Sequence, residues 1–408
     1  MTHSPASRIV SLDVIRGVAV MGILVANLPA FGLPEAAYFS PLAWGGSTGW
    51  NRAVWFANFV LVEGKMRGLF TFLFGASMLV VIDAAEARGQ SGAAVHFRRM
   101  ATLFLIGCLH LYLFWWGDIL SHYALVGAAA FLFARIRVPA MVAVGVALIA
   151  LQFLDEAVLG LALLHSAARD TPAHIATWNA FSEGFGLPPA PILHATIAGV
   201  RGGFGEGIAY RWTHEASPLT VLRLIGGQTL GSMVFGMAGY RSGFLTGAWS
   251  PRRYALIAAI CLGLTVPAYV ALALATIAHG FDQRWVYLGS IVASDPIRPL
   301  TVVGYAALLM LAIRPLGAFG ARIAAVGRVA FTNYLGTTLM MTFVFSGWGL
   351  GQFARWTRAD LYWLAPLAWG IMLVWSPWWL RRYRYGPFEW AWRSLSRGRL
   401  QPMRLATA

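Results

Sequence analysis

Charge is what this sequence has least of. Only 12% of its 408 residues are Asp, Glu, Lys or Arg, and lysine is all but missing: Lys65 stands alone against thirty arginines. An ordinary globular domain is about 25% charged, so this chain cannot cover a core with a wet surface. That excludes a soluble enzyme and a disordered chain. The two cysteines, Cys108 and Cys261, both sit inside apolar runs. They read as small core residues, which excludes a disulfide-stapled module. No CxxC, HExxH or clustered Cys/His spacing occurs, so no protein-ligated metal is expected. The net charge of +15 does not point to nucleic acid, which requires a basic face on a soluble domain; here the arginines lie between apolar runs.

Those runs are what the sequence has in excess. They recur from end to end at about 20 residues, enough to cross a hydrocarbon core of roughly 30 Å. Strict alternation over about 10 residues, the mark of a membrane barrel, is missing. The expected fold is therefore all-α, a polytopic transmembrane bundle of about ten spans, at 9–31, 66–86, 101–117, 119–136, 138–165, 219–245, 254–278, 298–317, 323–348 and 361–380. Residues 1–380 form one transmembrane domain, with 52–64 as a surface helix and 166–217 as an ordered outer loop region. Asp13 and Arg16 interrupt the first run, so a cleavable signal peptide is not expected. Two inverted five-span halves would fit the count, but no internal repeat is evident.

Counting basic residues in the short connections orients the bundle. With the N-terminus inside, the inner segments (Arg8, Arg16, Arg88, Arg98, Arg99, Arg135, Arg137, Arg241, Arg252, Arg253, Arg314, Arg322, Arg328 and the tail) hold 20 of the 31 basic residues, with only Asp13, Asp83, Glu86 and Glu389 as acids. The outer side is nearly neutral. Both termini are therefore expected in the cytoplasm, the chain in a bacterial inner membrane, and the bilayer its first partner; a homo-oligomer is left open. The tail, 381–408, sets Phe388, Trp390 and Trp392 among arginines and reads as an interfacial helix, most simply a plain anchor.

A charge at the bilayer centre costs about 2.5–3.5 kcal/mol on insertion scales, so each polar group inside a span is a candidate with a structural alternative. In LDVIRG at 12–17, Asp13 and Arg16 share a helix face; they pair, or Arg16 offers its guanidinium to a phosphate. Lys65 and Arg67 open the second span, where snorkelling alone would account for them, unless the single lysine is kept as a tunable ammonium. His110, Asp118 and His122 share one helical hairpin, GCLHLYLFWWGDILSHYALVG, with Tyr123 beside them. A carboxylate that orients an imidazole is what a general base needs; a hydrogen-bonded core histidine is the plainer alternative. Thr332, Asn333 and Tyr334 suit interhelical hydrogen bonding or substrate contact. Asp155, Glu156 and Arg223 are expected to pair near the outer side.

At LDVIRG with Asn27 beyond it, KMRGLFTFLFG, GDILSHYALVG, GRVAFTNYLG and YGPFEWAWRSL, the chain resembles the YeiB-like family of bacterial membrane proteins. The opening block is also similar to that of heparan-α-glucosaminide N-acetyltransferase and, more distantly, of membrane O-acyltransferases. The resemblance implies transfer of an acyl group from acetyl-CoA or another acyl-CoA to a glycan or small-molecule acceptor across the membrane. It aligns Asp13, Arg16, Gly17 and Asn27 with the opening motif. The glucosaminide enzyme carries a catalytic histidine in the next outer loop, whereas LPAFGLPEAAYFSP at 28–41 has only Glu35 and Tyr38 as titratable groups. A base must then come from His110 or His122, with Asp118. Acceptor contacts fall to Asn27, Lys65, Arg67, Tyr123 and Asn333, and the donor's phosphates to the neighbourhood of Asp13, Arg16, Arg98 and Arg99. The competing readings are a transporter or export factor for a small or lipid-like solute, and a non-enzymatic helical scaffold.

Overall fold

A computed structural model describes residues 9–214, 217–313 and 315–405; Arg8, Arg314 and the tail's last three residues lie outside the described residues. Leucine-, alanine- and phenylalanine-rich stretches, capped by Ser and Thr and opened by proline in the first turn, make helices. The described residues form α1 (Val10–Gly32), α2 (Gly49–Leu61), α3 (Lys65–Glu86), α4 (Gly92–Leu113), α5 (Leu120–Ala130), α6 (Val138–Ser166), α7 (Pro172–Phe185), α8 (Ala190–Arg201), α9 (Phe204–His214) and α10 (Pro218–Arg241). They continue through α11 (Pro251–Ala278), α12 (Gln283–Tyr287), α13 (Ser294–Ala312), α14 (Gly317–Arg328), α15 (Ala330–Phe345), α16 (Arg358–Leu361), α17 (Leu364–Leu380) and α18 (Pro387–Arg397). A single isolated bridge, Tyr383 to Arg404, is the only β pairing among the described residues. The fold is all-α.

Seven helical segments, one of them α2 and α3 taken together, are long and apolar enough to cross a membrane. Their exposure separates centre from rim: 83% of the apolar window of α1 is buried, against 22% for α6 and for α11. Among the exposed apolar residues of the rim helices are Leu151, Leu154, Val158 and Leu161 of α6, and Leu256, Ile260 and Leu264 of α11. Three- and four-residue spacing puts each set on one helix face, an apolar belt suited to acyl chains. This is a membrane protein.

Three expected spans differ in detail. Residues 119–136 yield only the eleven-residue α5 and a 3-10 turn at Phe131–Phe133. At 1.5 Å per residue α5 is about 16 Å long, so it does not cross alone. Residues 323–348 are not one helix: Val329, at φ −116° and ψ 36°, divides α14 from α15. The carboxylate of Glu389 takes up the N–H groups of Phe331 and Thr332 at the new helix start (2.7 and 3.1 Å), so the break leaves those donors satisfied. The last span is the 17-residue α17. Residues 52–61 fall within α2, and the region 166–217 holds α7, α8 and α9 among its described residues. Arg211 ties α9 down by donating to the last carbonyls of α4, Tyr112 and Leu113 (3.0 and 2.8 Å), a C-terminal cap supplied from another helix.

Small residues decide how closely the central helices approach. Gly75 of α3 lies against the Met233 carbonyl of α10, and Gly236 of α10 against the Phe72 carbonyl of α3. A Cβ at either position would run into backbone, which cannot rotate away. Gly236→Val is expected to cost about 1–3 kcal/mol or more by overpacking, read as a lower thermal midpoint of the purified protein. Gly263→Val, at a position with nothing within 4 Å, should leave the midpoint unchanged.

Candidate functional site

The tightest polar construction lies where α4 turns into α5. Gly117 allows the turn: a side chain there would strike the Trp115 ring. Asp118 then spends both carboxylate oxygens. One accepts from the Leu120 N–H (3.1 Å) and the other from the N–H and hydroxyl of Ser121 (2.9 and 2.7 Å), which starts α5 as an N-terminal acidic cap does. The first oxygen also meets His110 Nδ1 at 2.8 Å. An acceptor-only partner there makes Nδ1 the protonated nitrogen and leaves Nε2 with its lone pair. Nε2 is buried and has no hydrogen-bond partner. The imidazole packs beside Tyr334 and Trp115, at centroid distances of 5.6 and 6.3 Å. Trp115, with Phe31 and Arg211, also lines a cleft of about 20 Å³, roughly the space of one water molecule, to which His110 does not contribute a wall.

Asn27 sits one turn before Phe31 on α1, and Phe31 stacks on Trp115 at 4.0 Å. Residues four apart share a helix face, so Asn27 lies on the side of α1 that faces this ring cluster. It is half-buried, and its amide has no hydrogen-bond partner among the described residues.

His122, one turn into α5, does not join the dyad. Its Nε2 lies 2.9 Å from Thr229 Oγ1 of α10 while Nδ1 is unpartnered, although Asp118 and Arg67 are both within Coulombic reach. Tyr123 points to α3, its hydroxyl 2.5 Å from Thr71 and 3.3 Å from the Arg67 carbonyl. Half-buried Arg67 donates to Gln228 of α10 at 3.2 Å. From here a second polar seam runs between α3, α6, α10 and α13. Gln152 braces α10 through the Leu224 carbonyl and the Gly227 N–H (2.8 and 3.2 Å) and is 3.5 Å from Glu156. Asp295 and Arg298, both buried, pair at 3.5 Å, and Arg298 donates to the Ser290 carbonyl at 3.2 Å beside the π-helical turn Leu288–Val292. Glu156 Oε2 and both Asp295 oxygens accept no hydrogen bond.

Lys65 is 1% exposed, which rules out snorkelling. It donates to the Phe59 carbonyl, and its ammonium lies 3.3 Å from the Tyr269 ring centroid, a cation–π contact inside the bundle. Gly64, at φ +69°, makes the tight α2–α3 corner, and a side chain there would meet Arg298 Nε at 2.6 Å. The expected pairing of Asp155, Glu156 and Arg223 is not formed: Asp155 and Arg223 are exposed, and Glu156 turns inward instead. Asn333 spends its side chain on α17 and α14: its amide donates to Ser376 (3.2 Å) and the Val326 carbonyl (3.1 Å), and its oxygen accepts from Trp375 (2.8 Å).

At the arginine-rich end, Asp13 and Arg16 pair at 3.2 Å and Arg16 also donates to Ser77 (2.8 Å). Arg98 is exposed, whereas Arg99 lies 4.1 Å over the Trp392 ring of the tail helix. At the opposite end an open cleft of about 300 Å³ is bordered by Trp178, Asn179 and Gln283. Two of the three described non-glycine residues with positive φ, Arg169 (51°) and Phe281 (59°), sit on its rim, and such strain gathers at ligand clamps.

No local pattern in the sequence marks Gln152, Gln228, Asp295 and Arg298 as members of one seam. The ion pair did leave a signal: Asp295-Pro-Ile-Arg298 repeats the spacing of Asp13-Val-Ile-Arg16. Removing the cation from this seam should be costly. Arg298→Met is expected to destabilise by about 3–5 kcal/mol, because Asp295 stays buried without its partner. Asp295→Leu together with Arg298→Met should recover much of that, measured by thermal unfolding in detergent.

Comparison with known proteins places the chain. A family model described as "Protein of unknown function (DUF418)" matches residues 239–399. The chain is 28% identical over 419 residues to "Uncharacterized protein YxaH" of Bacillus subtilis (strain 168), covering 97% of this chain and 96% of that protein. It is 24% identical over 412 residues to "Uncharacterized 39.9 kDa protein in amylase 3'region" of Bacillus acidopullulyticus, covering 98% and 96%. With "Uncharacterized protein YeiB" of Escherichia coli (strain K12) it shares 33% identity over 402 residues, 95% of this chain and 96% of that protein. The chain belongs to the YeiB-like family.

Proposed function

We propose that the protein is a membrane-embedded acyltransferase. It takes an acyl group from acetyl-CoA or another acyl-CoA at the arginine-rich end and delivers it to a hydroxyl or amine of a glycan or small metabolite arriving at the other. The observation that carries this reading is the imidazole of His110, clamped through Nδ1 by Asp118 and left with Nε2 unspent in a buried setting. A general base needs those two properties together.

In this scheme His110 Nε2 accepts the acceptor's proton as its oxygen or nitrogen bonds to the thioester carbon. The carbon–sulfur bond then breaks, and the proton moves from Nε2 to the departing sulfur, which leaves as CoA thiol. Asn27, whose amide is uncommitted, is the better candidate to meet the developing oxyanion. Lys65 already donates to the Phe59 carbonyl, so it serves as a positioning residue for the α2–α3 corner. Arg67 and Tyr123 line the route from the acceptor side, His122 stands by as a second imidazole, and Asn333 holds the α15 wall. Arg16, held by its pair with Asp13, attracts the donor's phosphates together with Arg98 and Arg99. The excess of arginine at one end fits a bacterial inner membrane with both termini cytoplasmic, which would bring an intracellular thioester to that end.

A second reading draws on the seam rather than the dyad. Carboxylate oxygens without a hydrogen bond on Glu156 and on Asp295, the latter in its ion pair with Arg298, suit a solute pathway between helices. Solute uptake into proteoliposomes that Asp295→Asn abolishes and His110→Ala spares would favour it.

The acyltransferase predicts release of free thiol from acetyl-CoA by the purified protein once a suitable acceptor is added. His110→Ala should lower kcat roughly 10²–10⁴-fold with donor binding nearly unchanged, and Asp118→Asn should act in the same direction by losing the tautomer it imposes. A folded protein that neither binds nor cleaves acyl-CoA would overturn the proposal.

A further inference from the structure

The last helix, α18, is built to hold cations in fixed places. Pro387 opens it, and Gly398, at φ +63°, closes it. Arg393 and Arg397 stand one turn apart on one face. Its carboxylate, Glu389, is consumed: it accepts from the Phe331 and Thr332 N–H groups and, at 2.5 Å, from the Thr332 hydroxyl. Trp392 docks the helix on α4 by donating to the Arg99 carbonyl at 3.1 Å.

The arginines around this dock are stacked rather than paired. Arg99 lies over Trp392 at 4.1 Å and Arg393 over Tyr385 at 4.6 Å. Neither guanidinium has a hydrogen-bond acceptor among the described residues, and both are half-buried. Arg397 makes one bond, to Gln401 at 2.6 Å. Arg99 lies within Coulombic reach of Arg393 and Arg397, and Arg393 within reach of Arg397, Arg16 and Glu389. Asp13, paired with Arg16, and Glu389 are the acids beside these four cations.

Like charges brought together out of bulk water repel unless an anion joins them. An aromatic ring under a guanidinium covers its face and leaves its edges free, where the five N–H donors point. Those edges match phosphate oxygens in a bidentate fork. We propose that Arg99, Arg393 and Arg397, with Arg16 at the border, form a site for a ligand bearing two or more phosphate groups, so that the C-terminal helix is one wall of a binding site and not simply an anchor. Two sources supply that chemistry: a soluble nucleotide with several phosphates, which includes the acyl-CoA of the preceding section, and the headgroup of a diphosphate phospholipid. Only the nucleotide source rests on the acyltransferase reading.

The test uses the full-length protein in phosphatidylcholine nanodiscs. One arm measures equilibrium binding of adenosine 3′,5′-bisphosphate, which carries phosphates but no thioester; the other measures retention of cardiolipin by native mass spectrometry. One arm is expected to show saturable binding that weakens with salt. Arg393→Gln and Arg397→Gln should each weaken it about tenfold, and Arg393→Lys less, because it keeps the charge and loses the fork. The single variants retain Trp392 and Glu389, the groups that dock the helix. Binding of neither probe, or equal binding by wild type and a folded Arg393→Gln/Arg397→Gln double variant, would overturn the proposal. Bisphosphate binding without acyl transfer would leave the site standing and the enzyme fallen; acyl transfer that the double variant leaves unaltered, with neither probe bound, would do the reverse.

Discussion

One carboxylate organises the centre of this protein. In a water-poor interior an unpaired ion costs several kcal/mol, and Asp118 meets that cost with four hydrogen bonds, three from the first turn of α5 and one from His110. The same atoms therefore do two jobs. They start a helix short enough to need help at its N-terminus, and they fix which imidazole nitrogen keeps a lone pair. Any side chain that broke the Asp118 cap would loosen α5 and release His110 at once. Geometry at the dyad and stability of the hairpin are one property.

The rest of the polar interior is arranged around that point with unequal care. Around Asp118 every acceptor is used, and at Asn333 every side-chain group is bonded across α14, α15 and α17. Along the Glu156–Asp295–Arg298 seam, by contrast, carboxylate oxygens remain bare. A buried polar group without a hydrogen bond is costly to keep, which sets this seam apart from the fully bonded Asn333. The two ends differ in the same way. At one, guanidiniums lie on aromatic rings with their edges open. At the other, a Trp-lined cleft has strained backbone on its rim.

Much of the fold was legible in composition and period, because membrane helices must satisfy their backbones locally. Apolar length alone marks α1, α3, α6, α10 and α11. The α14–α15 break was not, because the carboxylate that satisfies the new helix start comes from Glu389, some sixty positions further along. The His110–Asp118 pair was legible since eight residues of hairpin separate its members. The seam was hidden by distance: Glu156 and Asp295 meet only once α6 and α13 pack. Lys65 looked like an end-of-helix snorkel because nothing local reveals that Tyr269 covers it. Arg223 looked like a partner for Glu156 because both are polar near the same depth, but helix rotation turns one out and the other in. The tail read as an anchor because stacking of Arg99 on Trp392 joins residues almost three hundred positions apart.

The account turns on the protonation pattern of one ring. Nitrogen-15 NMR of the protein labelled at histidine, with the His110 signals assigned by their loss in His110→Ala, reads that pattern directly. The tautomer with its proton on Nδ1 and a lone pair on Nε2 is predicted, with the pattern lost in Asp118→Asn. A His110 that carries its proton on Nε2 and not on Nδ1 would contradict it.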